Sequence, residues 1–154
     1  MFSKEESRQL NYNFWNGFQE CMSKNRSANG RKINWINYPS DVKNIFIRLE
    51  VDSKGARLCF DIQPKDDSIR SIFWEQMTEL KIVMEDITQS TPEWIENYYY
   101  LDKQYISRIV WTDDSLNFYN LEHREPIYKF LKERLTKFDL FYQEYKEILI
   151  ALAH

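Results

Sequence analysis

The stretch Ile45–Lys65, IFIRLEVDSKGARLCFDIQPK, decides the fold. Ile45, Ile47, Leu49 and Val51 alternate with Phe46, Arg48, Glu50 and Asp52. After Asp52-Ser53-Lys54-Gly55 the alternation resumes with Ala56, Leu58, Phe60 and Ile62 against Arg57, Cys59, Asp61 and Gln63. Period two on both sides of a Gly-containing turn predicts a β-hairpin. A four-residue loop, with Gly55 in the left-handed conformation, pairs Val51 with Ala56, Leu49 with Leu58, Ile47 with Phe60 and Ile45 with Ile62. All eight apolar side chains then share one face. A loop one residue shorter sets Glu50 opposite Leu58 and scrambles the faces, so the first register is expected.

Downstream, Asp66 or Asp67 caps a helix whose buried stripe is Ile69, Phe73, Met77, Leu80, Met84 and Ile87. This helix ends before Ser90-Thr91-Pro92. Residues 93–120 return to strand character in three runs, Trp94–Leu101, Tyr105–Trp111 and Leu116–Asn120, separated by polar turns. Pro126 fits the first turn of a last helix of about 25 residues, with a stripe of Ile127, Leu131, Leu135, Phe138, Tyr142, Tyr145 and Leu149. A helix of that length is expected to overhang the sheet and expose Phe141 or Tyr142. Upstream, Ser3 and Glu6 fit a capping box ahead of a helix with Leu10, Phe14, Phe18, Cys21 and Met22 on one side. Ile33–Tyr38 reads as a short strand stopped by Pro39.

These elements predict one α+β domain over residues 1–154, with a mixed, mainly antiparallel sheet of about six strands (strand, hairpin, three-strand meander) packed with three helices. Ten Phe, ten Tyr and five Trp supply large flat side chains for its core. The net charge of −3 gives no global basic field, so any nucleic-acid contact rests on local patches. Cys21 and Cys59 are too few for a disulfide framework and read as reduced, largely buried thiols. The N-terminus carries no apolar signal region, and no apolar run approaches spanning length, so a cytoplasmic protein with no membrane partner is expected.

Several stretches carry a family resemblance: Phe14–Glu20, Ala28–Trp35, Ala56–Gln63, Ile69–Gln76 and Phe130–Arg134. In combination they resemble the bacterial domain-of-unknown-function family 4268 over nearly the whole chain. The resemblance brings no established activity. Some members of that family resemble this chain as a single domain, and others carry it behind a nuclease-like domain. It implies an association with nucleic-acid processing or defence.

Three constellations are candidates. The first is the polar face of the hairpin, where Glu50 sits opposite Arg57 and Arg48 lies diagonal to Asp61. The element order over residues 4–100 also resembles the core of the PD-(D/E)xK nucleases, in which two acids hold Mg²⁺ and a lysine follows. Asp61 and Lys65 fill two of those roles, with Glu50 or Glu20 as second acid. Gln63 stands where the pattern needs a carboxylate, and Mg²⁺ prefers hard oxygen ligands. Cross-strand ion pairing is the competing reading. The second is the basic loop Lys24, Arg26, Arg31 and Lys32 with Trp35, which matches phosphate contacts and base stacking. The third is the aromatic run Trp94, Tyr98, Tyr99, Tyr100, Tyr105 and Trp111, which strand alternation cannot bury on one face.

His123 and His154 lie in no ligand or catalytic motif, and no phosphate-cradling Gly loop or nucleophile elbow is present in the sequence. The expectation is a binding or interaction domain with no committed catalytic residue and no cofactor, which the family resemblance, the basic loop and the aromatic excess make an accessory to bacterial nucleic-acid processing or defence; a structural homodimer is a further alternative. Mg²⁺ enters only under the alternative nuclease reading around Glu50, Asp61, Gln63 and Lys65. Expected partners are nucleic acid, another protein, or a second copy in a homodimer.

Overall fold

The computed structural model describes residues 2–154. The alternating segment forms β1 (Ile45–Asp52) and β2 (Gly55–Ile62) in the register the sequence predicts. Ile45 faces Ile62, Ile47 faces Phe60, Leu49 faces Leu58 and Val51 faces Ala56. The loop is tighter than expected. Asp52 and Gly55 themselves pair, leaving Ser53-Lys54 as the turn. The Asp52 carboxylate accepts from the Lys54 N–H at 2.8 Å. Gly55 has φ 148°, and a Cβ there would sit 2.6 Å from the Asp113 carbonyl oxygen. Glycine is therefore required for the close approach of the neighbouring strand as well as for the turn.

Asp66 caps the next helix, accepting from the Ser68 and Ile69 N–H groups. The expected single helix is two, α2 (Asp67–Glu79) and α3 (Lys81–Thr88), which meet at Leu80 with φ −90° and ψ 0°. Leu80 keeps the apolar spacing intact, so the sequence pattern carries no mark of the break. Ile69 leaves the stripe and is exposed, whereas Arg70 is buried. The Arg70 guanidinium donates to the Tyr105 carbonyl at 2.7 Å and to Asn97 Oδ1 at 3.1 Å, partners that only the folded chain supplies.

Two strands follow, β3 (Glu93–Tyr100) and β4 (Gln104–Asp113), paired antiparallel with a bulge between Ile95 and Tyr98. The expected third strand at 116–120 does not form. Both sides of β4 are already taken, by β2 and β3. Leu116 and Phe118 are instead buried from an irregular segment, where the Phe118 N–H reaches the Asp52 carbonyl at 3.0 Å. Ile33–Tyr38 is not a strand either. The Asn34 side chain accepts from the Ile36 and Asn37 N–H groups, both at 3.1 Å, and this local turn displaces extended pairing.

The class is α+β, but among the described residues the sheet is purely antiparallel with four strands in the order β1-β2-β4-β3, and there are four α-helices. This corrects the expected mixed sheet of about six strands with three helices. The first helix, α1 (Lys4–Met22), starts with the capping box. Ser3 Oγ accepts from the Glu6 N–H at 3.1 Å, and Glu6 accepts from the Ser3 N–H at 3.2 Å. The last, α4 (Arg124–Leu152), has 29 residues. Its Phe138 ring meets Phe60 and Trp111, which places the helices on the apolar face of the sheet. Phe141 and Tyr142 are fully buried, contrary to the expected overhang. The segment before β1 folds back over α4, and the Tyr142 hydroxyl donates to the Ser40 carbonyl at 2.6 Å. Among the described residues, no helix is long and apolar enough to cross a membrane.

Candidate functional site

The second sheet face carries the charge. β1 presents Arg48, Glu50 and Asp52, β2 presents Arg57 and Asp61, and β4 presents Arg108 directly opposite Asp61. Both pairs expected from the hairpin register form: Arg57 Nε to Glu50 Oε1 at 3.1 Å, and Arg48 Nη1 to Asp61 Oδ2 at 2.6 Å. Arg108 joins them. Its Nε reaches Asp61 Oδ1 at 2.8 Å, and its Nη2 reaches Asp61 Oδ2 at 2.9 Å and Glu50 Oε2 at 3.1 Å. Its guanidinium lies 4.4 Å from the Tyr98 ring centre, and that of Arg48 lies 4.5 Å from both Phe46 and Tyr100.

Burial works against charge on Arg57 and Asp52, but their mutual hydrogen bond outweighs it, helped at Arg57 by Glu50 and at Asp52 by the Lys54 and Gly55 N–H groups. The Arg57 guanidinium is held above its ordinary range and the Asp52 carboxyl below its own. Burial raises the thiol of Cys59, which lies between Arg57 and Asp61 on β2, and Glu50 raises it further. Nothing local in the sequence ties Arg108 to this cluster. The only signal was a lone arginine inside the apolar run Ile106–Trp111.

This geometry bears on the nuclease-like residues. Both Asp61 oxygens accept from guanidinium groups, and so do both Glu50 oxygens. Gln63 accepts from Arg48 Nη2 at 2.8 Å. β2 ends at Ile62, and Lys65 is exposed beyond Pro64. Glu20 is exposed on α1 and does not line the groove over Glu50 and Arg108. A divalent cation at Asp61 would have to displace two guanidinium groups, so this donor set does not fit Mg²⁺. Among the described residues, no cluster of three or more His, Cys, Asp or Glu is placed to hold a metal ion.

The basic loop is built differently. Lys24, Arg26, Arg31 and Lys32 are all exposed, and among the described residues none of them forms an ion pair. The loop is pinned from beneath by Asp139 of α4, which is buried. Its carboxylate accepts from the Ser27 hydroxyl at 2.8 Å, the Ala28 N–H at 2.6 Å and the Tyr38 hydroxyl at 2.5 Å. Burial first, then this bond, pushes the Tyr38 phenol far above its ordinary value. Asn29 adds a bond to Gln143 at 3.1 Å. Trp35 is 5% exposed, packs against Tyr38 and donates to the Asn25 carbonyl. It is a core residue, and its ring is not offered for stacking.

The aromatic run divides between the faces. Tyr98 and Tyr100 cover the charged face, while Trp94 and Trp111 turn to the helix side. Tyr99 and Tyr105 remain exposed and pack on each other with ring centres 5.0 Å apart. At this end of the sheet lies a cleft of about 780 Å³, bordered by Arg48, Lys65, Arg70, Lys103, Tyr100 and Tyr105. The sequence pattern sets Arg48 and Lys65 together on the hairpin's polar face, but Arg70 and Lys103 join them only in the fold, from α2 and the β3–β4 turn.

No curated protein and no solved structure matches the chain. One family does, a domain of unknown function (DUF4268), over residues 10–146. The match runs from within α1 to within α4, taking in the charged sheet face, the basic loop and the cleft. The chain belongs to this family of domains, DUF4268.

Proposed function

We propose that the chain is a nucleic-acid-binding module, an accessory to nucleic-acid processing, whose backbone contacts come from the loop Lys24–Lys32. The observation that carries this reading is the set of four exposed cations, Lys24, Arg26, Arg31 and Lys32, without carboxylate partners on a loop that buried Asp139 holds in shape. Unpaired surface cations are usually mobile and solvated. Here the backbone beneath them is fixed, so less conformational entropy is lost when a phosphate chain docks. Phosphate contacts of this kind give affinity and salt dependence without sequence readout.

The test is fluorescence anisotropy with labelled single-stranded and duplex oligonucleotides over a salt series. The intact chain should bind, with log K falling linearly against log salt. The triple variant Arg26→Gln, Arg31→Gln, Lys32→Gln should keep its thermal midpoint and lower that slope by about 2, from roughly 0.7 per lost single-strand contact. No binding at low salt, or binding that the triple variant leaves unchanged, overturns the reading.

A further inference from the structure

The cleft at the end of the sheet has its own charge arithmetic. Arg48 pairs with Asp61 within a cluster in which Arg48, Arg57 and Arg108 are balanced by Glu50, Asp52 and Asp61, and Arg70 pairs with Asp67 at 3.2 Å. Lys65 and Lys103 line the same cleft, are exposed, and form no ion pair among the described residues. Two ammonium groups are therefore uncompensated. The two arginines beside them are fixed rather than mobile. Arg48 is tied by Asp61 and Gln63, and Arg70 by the Tyr105 carbonyl and Asn97. The cleft also has an accessible ring, since Tyr105 is 56% exposed and has Tyr99 behind it. Its volume, about 780 Å³, suits a bound small molecule.

We infer that this cleft is a binding site for a phosphate monoester attached to a flat heterocycle, that is, a mononucleotide, either free or at the end of a strand. A monoester carries about −1.5 to −2 charges at pH 7 because its second pKa is near 6, which matches two uncompensated ammonium groups. An internal diester carries a single charge and matches them less well. The heterocycle stacks on Tyr105, and the ammonium groups of Lys65 and Lys103 hold the phosphate. This site shares no residue with the Lys24–Lys32 loop, so either can fail without the other.

The experiment is isothermal titration of the full chain with adenosine 5′-monophosphate, adenosine and inorganic phosphate. Two oligonucleotides, one with a 5′-phosphate and one without, complete the set. The monophosphate should bind at least tenfold tighter than adenosine or phosphate alone. Its affinity should fall about tenfold in Lys65→Gln/Lys103→Gln, and also in Tyr105→Leu, with the thermal midpoint unchanged. Binding should weaken as the pH drops below 6, where the phosphate dianion takes up a proton and becomes a monoanion. A phosphorylated oligonucleotide that binds tighter than the free monophosphate identifies a strand end as the source. The reverse order identifies a free nucleotide. No heat at millimolar monophosphate, equal binding of adenosine, or affinity unaffected by the double lysine variant overturns the site. Oligonucleotide binding lost in the loop variant but kept in the lysine variant bears on the loop alone.

Discussion

Arg108 on β4 and Asp61 on β2 are direct cross-strand partners, joined by two bonds of 2.8 and 2.9 Å, and both side chains are almost wholly buried. Removing one member leaves the other charge buried and short of a partner, which typically costs about 3–5 kcal/mol. Asp61→Leu should therefore lower unfolding free energy by that order. Arg108→Met on top of Asp61→Leu should recover a large part of the loss. Urea denaturation of the two singles and the double gives the coupling, and additive effects would refute the pairing.

Gly17 sits on α1 against Tyr128 of α4. A Cβ there would overlap the Tyr128 hydroxyl, which itself donates to the Phe14 carbonyl at 2.6 Å. Alanine is the better helix former by about 1 kcal/mol, yet the overpacking cost is typically about 1–3 kcal/mol. Gly17→Ala should be net destabilising. In a Tyr128→Phe background, where the obstructing oxygen is gone, the same substitution should become neutral or stabilising. Thermal melts of the four proteins decide between the two effects.

The β3–β4 turn places Leu101 and Asp102 both at φ 52°. Leucine is strained there, by about 1–2 kcal/mol, and its side chain is 65% exposed, so little packing opposes a change. Leu101→Asn/Asp102→Gly installs the residues this turn geometry prefers. It should raise unfolding free energy by about 1 kcal/mol, read from the urea midpoint at constant m-value.

Tyr38 and Tyr142 are both held well above the ordinary phenol value. Burial is the main cause, with Asp139 adding to it at Tyr38 and Asp41 at Tyr142. A raised folded value means the native state holds these protons more tightly than the unfolded chain does. The stability they contribute is full below the unfolded tyrosine pKa of about 10 and is lost as pH rises above it. In an alkaline titration followed at 295 nm and by circular dichroism, the last tyrosinates should form together with loss of helix. Tyr38→Phe should reduce the steepness of that alkaline fall.

Cys59 is fully buried and its thiol is raised by that burial, whereas Cys21 is half-buried. The thiolate is the reactive form, so a thiol reagent at pH 8 should label Cys21 in the native protein. Cys59 should label only at the rate of global unfolding. Fast labelling of both residues would contradict the packing of β2.

The hairpin and the α1 cap were legible because each is set within a short window. Ile45–Ile62 fixes its own register through alternation, and Ser3 and Glu6 are three residues apart. The break at Leu80 was not legible, because apolar spacing continues through it. Nor was Asp139, which reads as one more polar residue on α4 until Ser27, Ala28 and Tyr38 arrive from more than a hundred residues away. Of the candidate site residues, Arg48, Glu50, Arg57 and Asp61 were correctly grouped by local pairing. Arg108, Arg70 and Lys103 joined the two clusters only through contacts between distant segments. The sequence sets Trp35 beside the loop cations as a stacking ring, but in the fold it is buried in the core against Tyr38.

The strand order β1-β2-β4-β3 has a kinetic consequence. Two of its three pairings are closed by short turns and can form on the scale of about 1–10 μs each. The third, β2 with β4, has no turn of its own and must wait until the chain through α2, α3 and β3 has been brought round. Asp61 and Arg108 sit on that seam. A slip of one residue would point Arg108 into the apolar layer under α4, so the two prefabricated hairpins can dock productively in only one alignment. Substitutions at the Ser53-Lys54 turn should therefore leave the folding rate nearly unchanged, and those along the seam set it.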